Sequence, residues 1–139
     1  MADRASLDQT DRLFVIGDIH GRLDLLDQMV SAIHRDAKTY DGQSLTVTLG
    51  DYVDRGPNSR GVLDRLLTNP FPGKYVALKG NHEALLENFL KLPEIGPYWR
   101  QLGGLETLHS FGIPVASLMR DHNYEKASGQ LRATLSPDK

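Results

Sequence analysis

Three times between residues 13 and 83, a short apolar run meets a glycine and turns at once into a polar cluster. Leu13-Phe14-Val15-Ile16 runs into Gly17-Asp18-Ile19-His20-Gly21, and Leu45-Thr46-Val47-Thr48-Leu49 runs into Gly50-Asp51-Tyr52-Val53-Asp54-Arg55-Gly56. Tyr75-Val76-Ala77-Leu78 reaches Gly80-Asn81-His82-Glu83. Apolar runs this short, without alternation in the first of them, predict strands covered on both faces, as in a parallel sheet. Between them lie helical patterns. Leu26, Met29, Val30 and Ile33 recur with helical period, Asp41-Gly42 makes a turn, and Val62, Leu63, Leu66 and Leu67 line a second helix that Asn69-Pro70 and Pro72-Gly73 close. Leu85, Leu86, Phe89 and Leu90 mark a third, broken by Pro93. Residues 13–92 therefore read β-α-β-α-β-α, an α/β fold of parallel strands flanked by helices.

The rest of the chain sorts around that unit. Residues 1–12 read as a polar lead-in and residues 13–139 as one domain, helical from about residue 94. Helical patterns are expected at Tyr98-Trp99-Arg100 and from Leu105 to Phe111, with Gly103-Gly104 between them, a stop at Gly112-Ile113-Pro114, and a last helix over 124–135. Ser136-Pro137-Asp138 resembles the start of another. A net charge of -2 supplies no basic field, so nucleic acid is not an expected partner. No apolar run approaches the ~20 residues of a membrane helix, and the polar N-terminus lacks a signal-peptide core. The chain has no cysteine, which removes thiolate nucleophiles and thiolate metal sites and fits a reducing cytoplasm.

In a parallel sheet the carboxyl ends of the strands share one edge, where ligands bind. The three clusters are thus expected to converge. Asp18 and Asp51 would then lie close together, and two neighbouring carboxylates do not both stay ionised uncompensated. Either one is protonated or a cation lies between them. His20 and Asn81 add nitrogen and oxygen donors suited to divalent metals, which favours the cation. Each piece alone has a plainer reading. Gly-Asp after a strand is commonly a turn, Asn81 and Glu83 serve as a helix cap, and Asp54-Arg55 makes a surface ion pair. Three such clusters at three successive strand ends outweigh those readings together.

The three clusters, in this order, resemble the signature motifs of the bacterial-type serine/threonine phosphoprotein phosphatases, within the calcineurin-like metallophosphoesterase superfamily. The likeness covers residues 12–92 closely, and Trp99, Gly103-Gly104 and Leu105-Glu106-Thr107 resemble the helical insert of the bacterial members. The resemblance implies metal ligation by Asp18 and His20 at a first ion, Asp51 bridging two ions, and Asn81 at the second. It implies that His82 protonates the leaving oxygen or orients attack, with Asp54 bonded to it, and that Arg55 grips the phosphoryl oxygens. It further implies two divalent ions, manganese first with iron or zinc as alternatives, activating water against a phosphoprotein or phosphopeptide. Asp54-Arg55 favours that substrate over diadenosine polyphosphates or other small phosphoesters.

The family pattern also has two later histidines, in His-Ala-Gly and Gly-His-Thr contexts, and neither context occurs here. His34, His109 and His122 read as surface, packing and loop residues. The expectation is an N-terminal portion lacking the second half of its sheet sandwich. Such a portion exposes apolar sheet, favouring self-association, and is inactive or weakly active alone. An inactive fragment or a binding domain is the non-catalytic alternative.

Overall fold

A computed structural model describes residues 11–135. It contains three parallel strands in the order β1-β2-β3: β1 is Arg12–Ile16, β2 Ser44–Thr48 and β3 Lys74–Ala77. In register, Phe14 stands beside Thr46 and Thr46 beside Tyr75, while Val15, Val47 and Val76 align on the opposite face. Helix α1 (Leu23–Ala37) connects β1 to β2, α2 (Ser59–Leu67) connects β2 to β3, and α3 (Asn81–Lys91) follows β3. The expected β-α-β-α-β-α order is what the chain adopts, each strand boundary falling within a residue of its apolar run.

After Pro93 the chain is helical, as expected: a 3-10 turn at Pro93–Ile95, then α4 (Gly96–Gln101), α5 (Gly104–Ser110), α6 (Val115–Asp121) and α7 (Tyr124–Thr134). Helix α6 was not anticipated, because Pro114 and a polar stretch through Asn123 masked its short apolar pattern. Pro114 is its N-cap, and His122, an exposed loop residue as expected, is its left-handed C-cap. The expectations for most of residues 1–12 and for Ser136-Pro137-Asp138 lie outside the described residues.

The core lies between the sheet and the helices. Leu26, Val30 and Ile33 of α1, Val62 and Leu66 of α2, and Leu86 and Phe89 of α3 are buried in it with Trp99, Leu108 and Leu131. Met29 and Leu67 belong to their helical stripes by spacing but stand exposed at the margins.

Coverage of the strands on both faces is not found. Along β1 burial alternates, with Val15 54% exposed, and Val76 of β3 is 45% exposed. Among the described residues, helices pack on one face only; Leu13, Val15, Leu49, Val76 and Leu78 form an apolar surface on the other. The unbroken apolar runs record the need for a second cover that these residues do not themselves provide.

Candidate metal centre

The loops after the three strands are knitted together by their backbones. The Ile19 and His20 amides both donate to the Asp51 carbonyl, at 3.0 and 2.9 Å, and the Gly21 amide donates to Tyr52 O at 2.8 Å. Gly50, at φ 107°, lies so close to the third loop that a Cβ on it would stand 2.3 Å from Gly80 N. Only glycine allows that approach.

Glu83 completes the junction. Its carboxylate accepts from the amides of Asp51 (2.6 Å), Tyr52 (2.9 Å) and Gly80 (3.0 Å), tying the loop after β2 to the start of α3. The cap at α3 sits one residue earlier than expected: Gly80, not Asn81, is the N-cap, while Glu83 serves the helix start as expected by accepting from the Gly80 amide and also holds the loop after β2. The adjacency of Glu83 to Asn81 and His82 was the available signal for this role.

Six non-glycine residues among those described have positive φ, and four of them are site residues: His20 (43°), Asp51 (57°), Asp54 (76°) and Arg55 (71°). Such backbone costs of order 1–3 kcal/mol each and persists only where surroundings impose it. Here every one of the four amides is held. His20 N bonds Asp51 O, Asp51 N bonds Glu83, Asp54 N bonds Ser59 Oγ and Thr107 Oγ1, and Arg55 N bonds Gly103 O.

The surface-pair reading of Asp54 is overturned. Its side chain is 0% exposed and accepts from His82 Nδ1 (2.7 Å), Trp99 Nε1 (2.9 Å) and Thr107 Oγ1 (2.6 Å). Burying a carboxylate is costly unless such donors replace its hydration. Trp99 and Thr107 come from α4 and α5, so the helical segment after Pro93 reaches back to fix this pair. Spacing gave no sign of those contacts, although Trp99 is the chain's one tryptophan. Arg55, beside Asp54 in sequence, is exposed, and its guanidinium makes no hydrogen bond or ion pair among the described residues.

His20 donates through Nδ1 to the Val53 carbonyl at 2.8 Å, since a carbonyl can only accept. His20 and His82 meet edge to face with ring centroids 4.6 Å apart. His20, Asp51 and His82 each offer a ligand atom, all within 4.8 Å of one another. Asp18 lies at the rim, 67% exposed, with Oδ2 3.7 Å from His20 Nε2. The amide of Asn81 faces the Asp51 carboxylate with its oxygen; turned over, its nitrogen would lie 3.2 Å from both carboxylate oxygens. Acceptor facing acceptor is relieved by that turn or by a cation between them. The nitrogen and oxygen donors converging here suit a divalent metal.

His34 bonds the Pro70 carbonyl from an exposed position, and His109 and His122 are exposed away from this cluster. No described helix is long and apolar enough to cross a membrane.

The sequence profile of the family described as "Calcineurin-like phosphoesterase" matches residues 11–131. The chain is 37% identical over 92 residues to Serine/threonine-protein phosphatase 2 of Escherichia coli (strain K12), an alignment covering 66% of this chain and 38% of that protein. It is 36% identical over 73 residues to Serine/threonine-protein phosphatase 1 of Salmonella typhimurium, covering 52% of this chain and 30% of that protein. The chain thus aligns with about a third of the length of either relative.

Proposed function

Because this chain belongs to the calcineurin-like phosphoesterase family, we propose that it forms the metal-binding part of a phosphomonoester hydrolase acting on phosphoserine or phosphothreonine in proteins. The observation that carries this reading is the junction of His20, Asp51, Asn81 and His82 at one rim, beside an unengaged guanidinium on Arg55. Both relatives carry serine/threonine-protein phosphatase names, which supports the substrate class.

In this reading Asp18, His20, Asp51 and Asn81 hold two divalent ions, manganese first with iron or zinc as alternatives, in a cytoplasmic protein. When bound, such ions supply charge neutralisation for the carboxylates, polarisation of the phosphoryl group and a more acidic water. Arg55 presents a planar fork that matches two phosphoryl oxygens. His82, with Nδ1 fixed by Asp54, directs Nε2 to the leaving oxygen and carries the proton there. Asp54 stabilises the charged ring while Trp99 and Thr107 hold the carboxylate still.

The test compares turnover of a phosphoserine peptide, diadenosine tetraphosphate and a phosphate bis-ester in the presence of manganese. It is run on this chain and on a version extended through the two further histidines of the family pattern. The expected result is preference for the phosphopeptide, with the 139-residue chain slow or silent beside the longer one. Preference for diadenosine tetraphosphate, or equal turnover by the two lengths, would refute the respective part of the proposal.

A further inference from the structure

We infer that Arg100 is a second anion contact for the substrate, and that the chain takes phosphopeptides carrying an acidic residue a few positions from the phosphorylated one. This rests on the phosphopeptide reading above and names the kind of peptide it accepts.

The first observation is how Arg100 is joined to Arg55. The Gly103 amide donates to the Arg100 carbonyl at 3.2 Å, and the Gly103 carbonyl accepts from the Arg55 amide at 3.1 Å. Gly103 is left-handed, at φ 100°, and a Cβ on it would stand 2.8 Å from Arg55 Cγ. One tight turn therefore carries the two arginines side by side at the edge of the site. Helix α4 links them to it a second time, since Trp99 turns inward to Asp54 while Arg100 faces out.

The second is what Arg100 faces. It lines a hollow of about 560 Å³ together with Pro97, Gln101, His122 and Tyr124, and no carboxylate lines it. Pro97, Arg100 and Gln101 share one face of α4 by their spacing. The Tyr124 ring closes the floor, lying so near Gly96 that any side chain there would run into it. Glu94 and Glu125 line the neighbouring hollow, with Lys91 between them and the solvent-facing His122.

The third is that Arg100 has no acceptor. It is half-buried, yet its guanidinium makes no hydrogen bond or ion pair among the described residues. A cation in the last turn of a helix is favoured whatever else it does. That accounts for the charge but leaves five N–H donors without a partner beside a hollow free of acids. The guanidinium fork matches a carboxylate as well as a phosphate. Residues joined through one such turn stand on the order of 10 Å apart and an extended peptide advances ~3.4 Å per residue, so about three residues separate the two anions. With Arg55 on the phosphoryl group, Arg100 meets an aspartate or glutamate of the same peptide.

The test follows fluorescence anisotropy of labelled peptides on the unaltered chain with manganese present. A phosphoserine peptide with aspartates about three residues to either side is compared with its asparagine counterpart, and each with its unphosphorylated form. The phosphorylated aspartate peptide is expected to bind about fivefold to tenfold tighter than the asparagine one. Arg100→Gln is expected to abolish that difference while the gain from phosphate persists, and Arg100→Lys to keep part of it as charge without the fork. Should Arg100→Gln fail to fold, the Arg100 Nε–H resonance of the unaltered chain decides, moving with the aspartate peptide and not with the asparagine one. Equal binding of the two phosphorylated peptides, or a preference that survives Arg100→Gln, overturns the inference and leaves the phosphatase reading standing. So does an Arg100-dependent gain for diadenosine tetraphosphate alone, which would give the hollow to a second phosphate. Binding that ignores the phosphate, or no binding of any peptide, overturns both.

Discussion

Asp54 is fully buried with three side-chain donors, and at the scale of single residues the site depends most on keeping them. Replacing Trp99 by Phe keeps the ring contact with Phe89 at 4.7 Å but removes the indole N–H that bonds Asp54. The expected cost is about 1–3 kcal/mol, the penalty of stripping a partner from a buried acceptor. Urea unfolding of the variant measures it; an unchanged midpoint contradicts it. The opposite sign is expected at Thr46 in the centre of β2, whose buried hydroxyl has no hydrogen-bond partner among the described residues. Thr46→Val keeps the shape and removes the unsatisfied oxygen, which should raise stability by about 1 kcal/mol with an unchanged denaturant slope. Residue identities made part of this legible in advance. Motif order at the strand ends singled out Asp18, His20, Asp51 and Asn81 in advance, and family likeness singled out His82. The bond between Asp54 and His82 was implied by family likeness. Glu83 was read only as a cap, a role it keeps at the Gly80 amide, because its bonds to the Asp51 and Tyr52 amides are non-local. Trp99 and Thr107 were named as likeness without a contact, because the path of α4 and α5 back to the loops cannot be read from their spacing.

At the scale of elements, the loop after β2 is anchored to its neighbours by hydroxyls as well as by Glu83. The Tyr52 hydroxyl bonds Thr48 Oγ1 at 2.7 Å and donates to Leu78 O at 2.6 Å, and Thr48 Oγ1 also meets the Tyr75 hydroxyl at 2.8 Å. Burial pushes both phenols above their ordinary value of 10.0. Since folding holds them protonated, their contribution to stability is complete below pH 10 and fades as pH rises through the higher folded values. Two of the chain's five tyrosines should therefore titrate late in tyrosinate absorbance, with unfolding setting in as they ionise. Ordinary titration of all five contradicts this. The elements themselves were legible where the pattern was long. Helices α1, α2 and α3 follow from apolar spacing, and the strands from runs ending at glycine. Helix α6 was missed because Pro114 reads as a stop and the polar run from Arg120 through Asn123 leaves it few apolar positions.

At the scale of the whole molecule, a three-stranded sheet covered on one side leaves Val15, Val76 and Leu78 facing water. Contiguous apolar surface of this kind promotes association. The chain is expected to sediment with a concentration-dependent average mass, and the double change Val15→Lys and Val76→Lys should restore a monomer. A monomer at all concentrations before mutation contradicts the expectation. The sequence showed the need for a cover through its unbroken strands, and the family pattern's two later histidine contexts do not occur in it. What it could not show was which face stayed bare, because that depends on where the helices after Pro93 pack. The claim beneath all of this is that the loops after β1 and β2 and the start of α3 meet to hold a divalent ion. Anomalous diffraction from crystals equilibrated with manganese tests it directly. A peak within coordinating distance of both the His20 ring and the Asp51 carboxylate is the expected result; no peak there at saturating manganese, or one only at a surface carboxylate elsewhere, contradicts it.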